Sequence, residues 1–167
     1  LLLMKLDHPF RVSDTSFNVR PLGSFYGAYA GQAALPITED ELVYLDHASI
    51  RHARVHDLVT RKETTVYQFD LRNSIDPYDF FLGGAQPLLV MKNDHAEGDR
   101  TLVVFRDSFG SSLVPLLTLA YREILVADLR YVRAKSISDV LASYHDADVL
   151  FLYSTTVLNA PGAFPVS

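Results

Sequence analysis

An α/β domain built on a parallel sheet is what this chain predicts, and three observations in its second half predict it. Three apolar runs rich in β-branched and aromatic residues, Thr101 to Arg106, Ile124 to Asp128 and Val149 to Tyr153, have the composition of buried strands. Between them lie stretches of helical character, from about Ser111 to Arg122 and from about Ile137 to Tyr144, the second opened by Ser136 or Ser138 as cap. Strands alternating with helices of this length give right-handed crossovers and a parallel sheet covered on both faces. Just past the three runs stand polar residues: Ser108, Asp128 with Arg130, and the segment from Ser154 to Asn159. Ligands of parallel sheets bind at the carboxyl ends of the strands, so these residues are expected to face one crevice.

The first half reads as less regular. The stretch Phe25-Tyr26-Gly27-Ala28-Tyr29-Ala30-Gly31 combines aromatics with glycine and suits a loop that lines a cleft. Glu41 to Leu45, His52 to Leu58 and Thr64 to Phe69 alternate in part and predict short strands of a small antiparallel insertion. Asp76 as cap, Pro77 at the first helical position and a Gly83-Gly84 stop predict one short helix. Pro87 to Met91 follows as a further strand, and Lys92 to Arg100 as a polar loop. No internal repeat or linker interrupts the chain, so 1–167 is taken as a single domain.

Composition excludes some classes. The net charge of −5, with Lys and Arg scattered, gives no electrostatic footprint for nucleic acid. With no cysteine there is neither a disulfide nor a thiolate metal site, and the six histidines show no His-Glu-x-x-His spacing. No metal and no cofactor is expected. No stretch is long and apolar enough to span a bilayer. Leu1-Leu2-Leu3-Met4 lacks a basic flank and a small-residue cleavage site. It reads as the tail of a helix that begins outside this sequence, and the domain is expected to lack its N-terminal part.

Ser108 is the candidate nucleophile. The run ending at Arg106 passes into Asp107-Ser108-Phe109-Gly110-Ser111-Ser112 and then into Leu113, Leu116, Leu117 and Ala120, which predicts a strand-to-helix turn. Such a turn holds a hydroxyl clear of the sheet edge and aims unpartnered backbone N–H groups at the same spot. Acyl transfer needs both, an exposed oxygen and donors where an oxyanion develops. The same residue types also serve as helix caps, and the motif is not the Gly-x-Ser-x-Gly elbow.

Several blocks together resemble a known family. Phe25-Tyr26-Gly27, Gly31-Gln32-Ala33-Ala34-Leu35-Pro36, Tyr78-Asp79-x-Phe81-Leu82, Arg106-Asp107-Ser108-Phe109-Gly110-Ser111-Ser112, Asp128-Leu129-Arg130-Tyr131 and Asp148 to Ser154 are similar to successive blocks of the bacterial DHHW proteins. These are relatives of the alginate O-acetyltransferase type of SGNH hydrolase. The resemblance, running from about Phe17 to the C-terminus, implies a three-layer α/β/α, flavodoxin-like parallel sheet. It implies an extracytoplasmic protein, at the cell surface or anchored in the membrane through a preceding segment. It also implies acetyl transfer or ester hydrolysis on a polysaccharide or other acetylated glycan through an acyl-serine, with a membrane acetyl donor as a further partner. Ser108 takes the place of the nucleophile, and the N–H groups at the start of the helix it opens, those of Phe109 and Gly110 among them, hold the oxyanion.

The family's Asp and His that activate the serine lie earlier in the chain. Asp7-His8-Pro9-Phe10 is only superficially similar, lacking the second His and the Trp, so base and orienting acid are assigned to the segment outside this sequence. The other histidines are not assigned as the base, and His47, His52 and His56 are read as a solvated strand surface. His47, His52 and His56 fall on a predicted hairpin, where His52 and His56 share a face, while His95 and His145 precede strands and so sit at the end away from Ser108. Asp107 can orient the turn or donate charge to the site, or simply cap the helix. Arg130 can bind substrate oxygen or pair with Asp128, Asn159 can donate to an oxyanion or form an Asx turn before Pro161, and Tyr26 or Phe25 is expected as a wall. The competing expectation is a non-catalytic surface module that binds glycan or protein through the same crevice.

Overall fold

The computed structural model of the protein describes residues 17–27, 38–132, 134–160 and 162. Among the described residues, eight strands and four short α-helices follow one another: β1 (Asn18–Phe25), β2 (Asp40–Asp46), α1 (Ala48–His52), β3 (Arg54–Asp57), β4 (Glu63–Thr65), β5 (Leu88–Lys92), β6 (Thr101–Arg106), α2 (Val114–Leu117), β7 (Glu123–Ala127), α3 (Ala134–Leu141), β8 (Asp148–Leu152) and α4 (Thr155–Leu158). Six strands form one sheet in the order β4-β3-β5-β7-β6-β8. The three runs from which the fold class was read are its adjacent parallel strands: β6 pairs parallel with β7 on one side and with β8 on the other.

The rest of the sheet corrects the expectation of a parallel array. β5 runs antiparallel to β7, and β3 antiparallel to both β5 and β4, so the sheet is mixed. The reason lies in loop length. A parallel return needs a dozen or more residues, whereas 93–100 holds too few and no helix, so β6 must run opposite to β5. The predicted insertion is also divided. β1 and β2 make a separate two-stranded antiparallel sheet with a bulge between Pro21 and Gly23, while β3 and β4 extend the main one. Pro21 has no N–H to give the ladder, and Gly23, at φ +147, takes up the irregularity.

The central strands are buried on both faces. Leu102, Val104, Ile124 and Val126 pack with Leu89 and Met91 against Val114, Leu117, Tyr121 and Phe80 on one side. Val103, Phe105, Leu125 and Ala127 pack against Val132 and Ile137 on the other. This double burial explains why β6 and β7 lack the polar alternation of a one-sided strand. Each such side chain contributes about 1.5–3 kcal/mol relative to an exposed one.

Two helices differ from their predicted form. The expected helix from Ser111 to Arg122 is reduced to a 3₁₀ turn, Ser108–Ser111, and the single turn of α2. Pro115 removes one helical N–H, and Thr118 Oγ1 donates to the Pro115 carbonyl at 2.6 Å. The chain leaves by i to i+3 bonds such as Ala120 N to Leu117 O. Helix α3 begins ahead of Ser136 and Ser138 rather than being capped by them, since Ala134 and Lys135 are good helix formers. The helix expected at 76–82 is a 3₁₀ turn, Pro77–Phe80, capped by Asp76, which accepts from Tyr78 N at 3.0 Å. The hairpin assigned to His47, His52 and His56 is interrupted by α1. His47 caps that helix by accepting from Ser49 N, His52 sits in its last turn and His56 lies on β3.

Candidate functional site

Strand β6 ends at Arg106 and its ladder runs on for one residue, Asp107 N donating to Leu152 O of β8 at 3.3 Å. Asp107 is buried, and both of its carboxylate oxygens are used. Oδ1 accepts from Phe109 N at 3.1 Å, and Oδ2 accepts from Ser154 N at 2.7 Å. One side chain therefore fastens the turn after β6 to the turn after β8. Both bonds are those of a residue that caps and positions the turn.

Ser108 opens the 3₁₀ turn and is half-buried on the rim of a cleft of about 280 Å³. Phe25, Tyr78, Asp79, Gly84 and Phe109 are among its lining residues. Phe25 stacks on Tyr78, their centroids 6.2 Å apart. The Tyr78 hydroxyl donates to the Phe109 carbonyl at 3.1 Å and lies 2.9 Å from Ser112 Oγ, so the far wall is pinned to the serine turn. Gly110 lets that turn close down on the sheet, because a Cβ there would meet Arg106 Cβ at 2.9 Å. The expected oxyanion donors need correction. Phe109 N is taken by the Asp107 carboxylate and Gly110 N by the Asp107 carbonyl, while the Ser108 N–H meets no acceptor among the described residues.

Opposite the serine the chain turns through three residues in the left-handed region, Leu82 at φ 60, Gly83 at 73 and Gly84 at 80. Gly84 is favoured by its φ, and a Cβ there would stand 2.2 Å from Asp79 Oδ1, so that the Asp79 side chain would have to move. Burial, reinforced by the charge of Asp76, pushes the Asp79 carboxyl above its ordinary pKa. Beneath the cleft lies Arg106, fully buried, with Nη1 donating to Asp107 O at 3.3 Å, Nη2 to Gly84 O at 3.4 Å and Nε unpaired. Burial pulls its pKa down, against the opposing charge of Asp128. Neither Arg106 nor Asp79 was singled out from the sequence as a site residue. The signal for Arg106 was an arginine closing a wholly apolar strand, a place where a cation has to be satisfied by backbone oxygens or stay under strain.

Arg130, Asn159 and Tyr26 are not among the residues lining this cleft. Arg130 grips the buried Asp128 carboxylate through Nε at 2.9 Å and Nη2 at 2.6 Å and lies over the Tyr131 ring, so its local pairing is satisfied. Asn159 is the exposed C-cap of α4, and Tyr26 is 56% exposed. His145 is exposed and sits 3.4 Å from Asp146. The Asp7-His8 pair and the Gly31 to Pro36 block lie outside the described residues. Among the described residues, no cluster of three or more His, Asp or Glu side chains could hold a metal, and no helix is long and apolar enough to cross a membrane.

No family model and no curated protein matches the sequence. Among solved structures, a DHHW family protein from Eubacterium siraeum has the same fold, with a TM-score of 0.73 at 21% identity over 97% of this chain and 55% of its own. PatB1 of Bacillus cereus, solved with a sulfonyl adduct, superposes with a TM-score of 0.68 at 18% identity over 93% of this chain and 53% of its own. The same protein solved separately gives 0.61 at 18% identity. The likeness to DHHW proteins read from the sequence blocks is thus borne out as a likeness of fold, and the chain spans about half the length of the structures it matches.

Proposed function

We propose that this chain is part of an SGNH-like protein of the cell surface or envelope that transfers or hydrolyses acetyl groups on an extracellular polysaccharide through acyl-Ser108. The observation that carries the reading is the half-buried Ser108 on the rim of an aromatic-walled cleft, on a turn locked by Asp107 whose Ser108 N–H meets no acceptor among the described residues. Ser108 Oγ attacks the acyl carbonyl as its proton passes to a histidine contributed from outside this sequence, held by an aspartate from the same segment. The tetrahedral intermediate collapses as the donor's alcohol leaves with that proton, and a glycan hydroxyl or water then takes the acetyl group from Ser108, which recovers a proton. The Ser108 N–H stabilises the oxyanion, and the Phe25 and Tyr78 rings offer faces on which a sugar can lie. A sulfonyl adduct in a protein of this fold fits the reading, because sulfonyl electrophiles are captured by nucleophilic side chains. A second reading, a non-catalytic glycan-binding module, draws on the cleft lining, which contains no histidine among the described residues.

The deciding experiment is p-nitrophenyl acetate turnover by residues 1–167 and by a protein extended at the N-terminus, each with Ser108→Ala. Without a base the chain alone should retain little, on the order of a thousandfold over water. The extended protein should be active, and Ser108→Ala should abolish that activity. Activity in the extended protein that survives Ser108→Ala refutes the acyl-serine. An extended protein that is inert yet binds acetylated glycan establishes the module instead. Strong Ser108-dependent turnover by 1–167 would put the base on one of its own histidines.

A further inference from the structure

A second cavity, of about 360 Å³, is lined by His52, Arg54, His56, Lys92, Asp94 and His95. The pairing registers place it. Arg54 stands opposite Lys92, Lys92 opposite Glu123 and Glu123 opposite Thr101, the first residue of β6. Ser108 follows the other end of β6, so the two cavities are separated by the length of a strand, roughly 20 Å. Five of the six lining side chains carry nitrogen donors, and one is a carboxylate.

The donors are held in place by groups outside the lining. Glu63 lies 3.7 Å from Arg54 Nε and 3.4 Å from His56 Nδ1, and Glu123 lies 3.2 Å from Lys92 Nζ. Buried Asn93 donates to Ser49 Oγ at 3.0 Å and to Thr118 O at 2.8 Å, and its own oxygen accepts from His95 N at 3.0 Å. Ser49 Oγ in turn donates to His95 O at 2.9 Å. This network fixes the 93–96 loop against α1 and sets the His95 ring on the His52 ring, centroids 4.2 Å apart. With one face of each imidazole covered by the other, their edges carry the available N–H groups. The fully bonded buried asparagine anchors the loop, so that the donors, most of them solvent-exposed, are held in a defined arrangement.

We infer that this cavity is an oxyanion-binding site, taking a phosphate or carboxylate group between Arg54, Lys92 and the His52–His95 pair. Guanidinium, ammonium and imidazole N–H groups are the donors that recognise such oxygens. The site is independent of Ser108, and its ligand can be a separate molecule or an anionic group on a glycan.

The test is an NMR titration of residues 1–167 with sodium phosphate, sodium acetate and sodium glucuronate at constant ionic strength, chloride being the control. The histidine ring correlations are followed. Saturable shifts of His52 and His95, with His145 unmoved, are expected with at least one of the three anions. Arg54→Met and Lys92→Met should each weaken binding about tenfold, and Ser108→Ala should leave it unchanged. Phosphate alone binding assigns a phosphorylated ligand, and glucuronate or acetate binding assigns a carboxylate. Shifts that do not saturate, that appear equally at His145 or with chloride, or that persist in both Arg54→Met and Lys92→Met overturn the site.

Discussion

Replacing Asp107 by alanine should unfold this protein more readily than any change at Ser108, and the structure fixes the size of the effect. The buried carboxylate accepts two backbone N–H bonds, from Phe109 at 3.1 Å and from Ser154 at 2.7 Å. Hydrogen bonds to a charged group contribute about 1.5–3 kcal/mol each, and both part-buried donors would lose that partner. Removing the carboxylate also relieves its own burial, which offsets part of the loss. The expected net destabilisation is about 3–4 kcal/mol, against a total stability of about 5–15 kcal/mol for an ordinary domain. At about 2–4 °C per kcal/mol for a chain of this size, Tm should fall by about 10 °C. Asp107→Asn keeps one acceptor oxygen and so one of the two bonds, with a loss of about 2 kcal/mol. Urea titration followed by circular dichroism measures both, and amide exchange at Ser154 reports the broken link directly. An Asp107→Ala midpoint within about 0.5 kcal/mol of the parent, the range of an ordinary surface substitution, would refute the argument that this residue fastens β6 to β8.

Two further outcomes concern the opposite wall. Gly84→Ala should destabilise by more than the roughly 1–2 kcal/mol of a left-handed alanine, because its Cβ would also meet Asp79 Oδ1 at 2.2 Å; adding Asp79→Ala should recover the excess but not the backbone part, a non-additivity that a double-mutant cycle reads. Asp79→Asn should raise Tm at pH 7 and lose that advantage as the pH falls below 3.8: the folded carboxyl has a raised pKa, so the folded state holds the proton more tightly and stability declines as pH climbs from 3.8 through the raised value, a decline the amide escapes. Equal Tm differences at pH 3 and pH 7 would contradict the burial argument for Asp79.

What could be read in advance was whatever burial writes into side-chain pattern. β6 and β7 were legible because strands covered on both faces need continuous apolar runs. β8 was read from the same kind of run, although as the edge strand it leaves Val149 and Phe151 exposed. The Asp76-Pro77 start and Gly83-Gly84 stop were legible because each rests on a local backbone requirement. The mixed sheet was not inferred, although the short 93–100 loop contained the information, since a strand's direction depends on how the chain returns and not on its composition. The helix after Ser108 was overestimated because its apolar residues mark burial, whereas Pro115 and Thr118 decide whether the backbone can stay helical. At the site, Ser108 and its aromatic wall were placed by motif. Arg106 and Asp79 escaped notice because their environment is assembled from β6, the Pro77–Phe80 turn and Gly84, segments brought together only by the fold.

The strand order has a consequence for how the molecule reaches its native state. β5 and β6 are joined by a short loop and run in opposite directions, yet β7 lies between them in the sheet. Strands joined by such a loop could pair locally on a timescale of about 1–10 μs, yet the native sheet joins them only through β7, a segment further along the chain. The native pairing of this region is therefore non-local, the feature that slows folding relative to a simple hairpin.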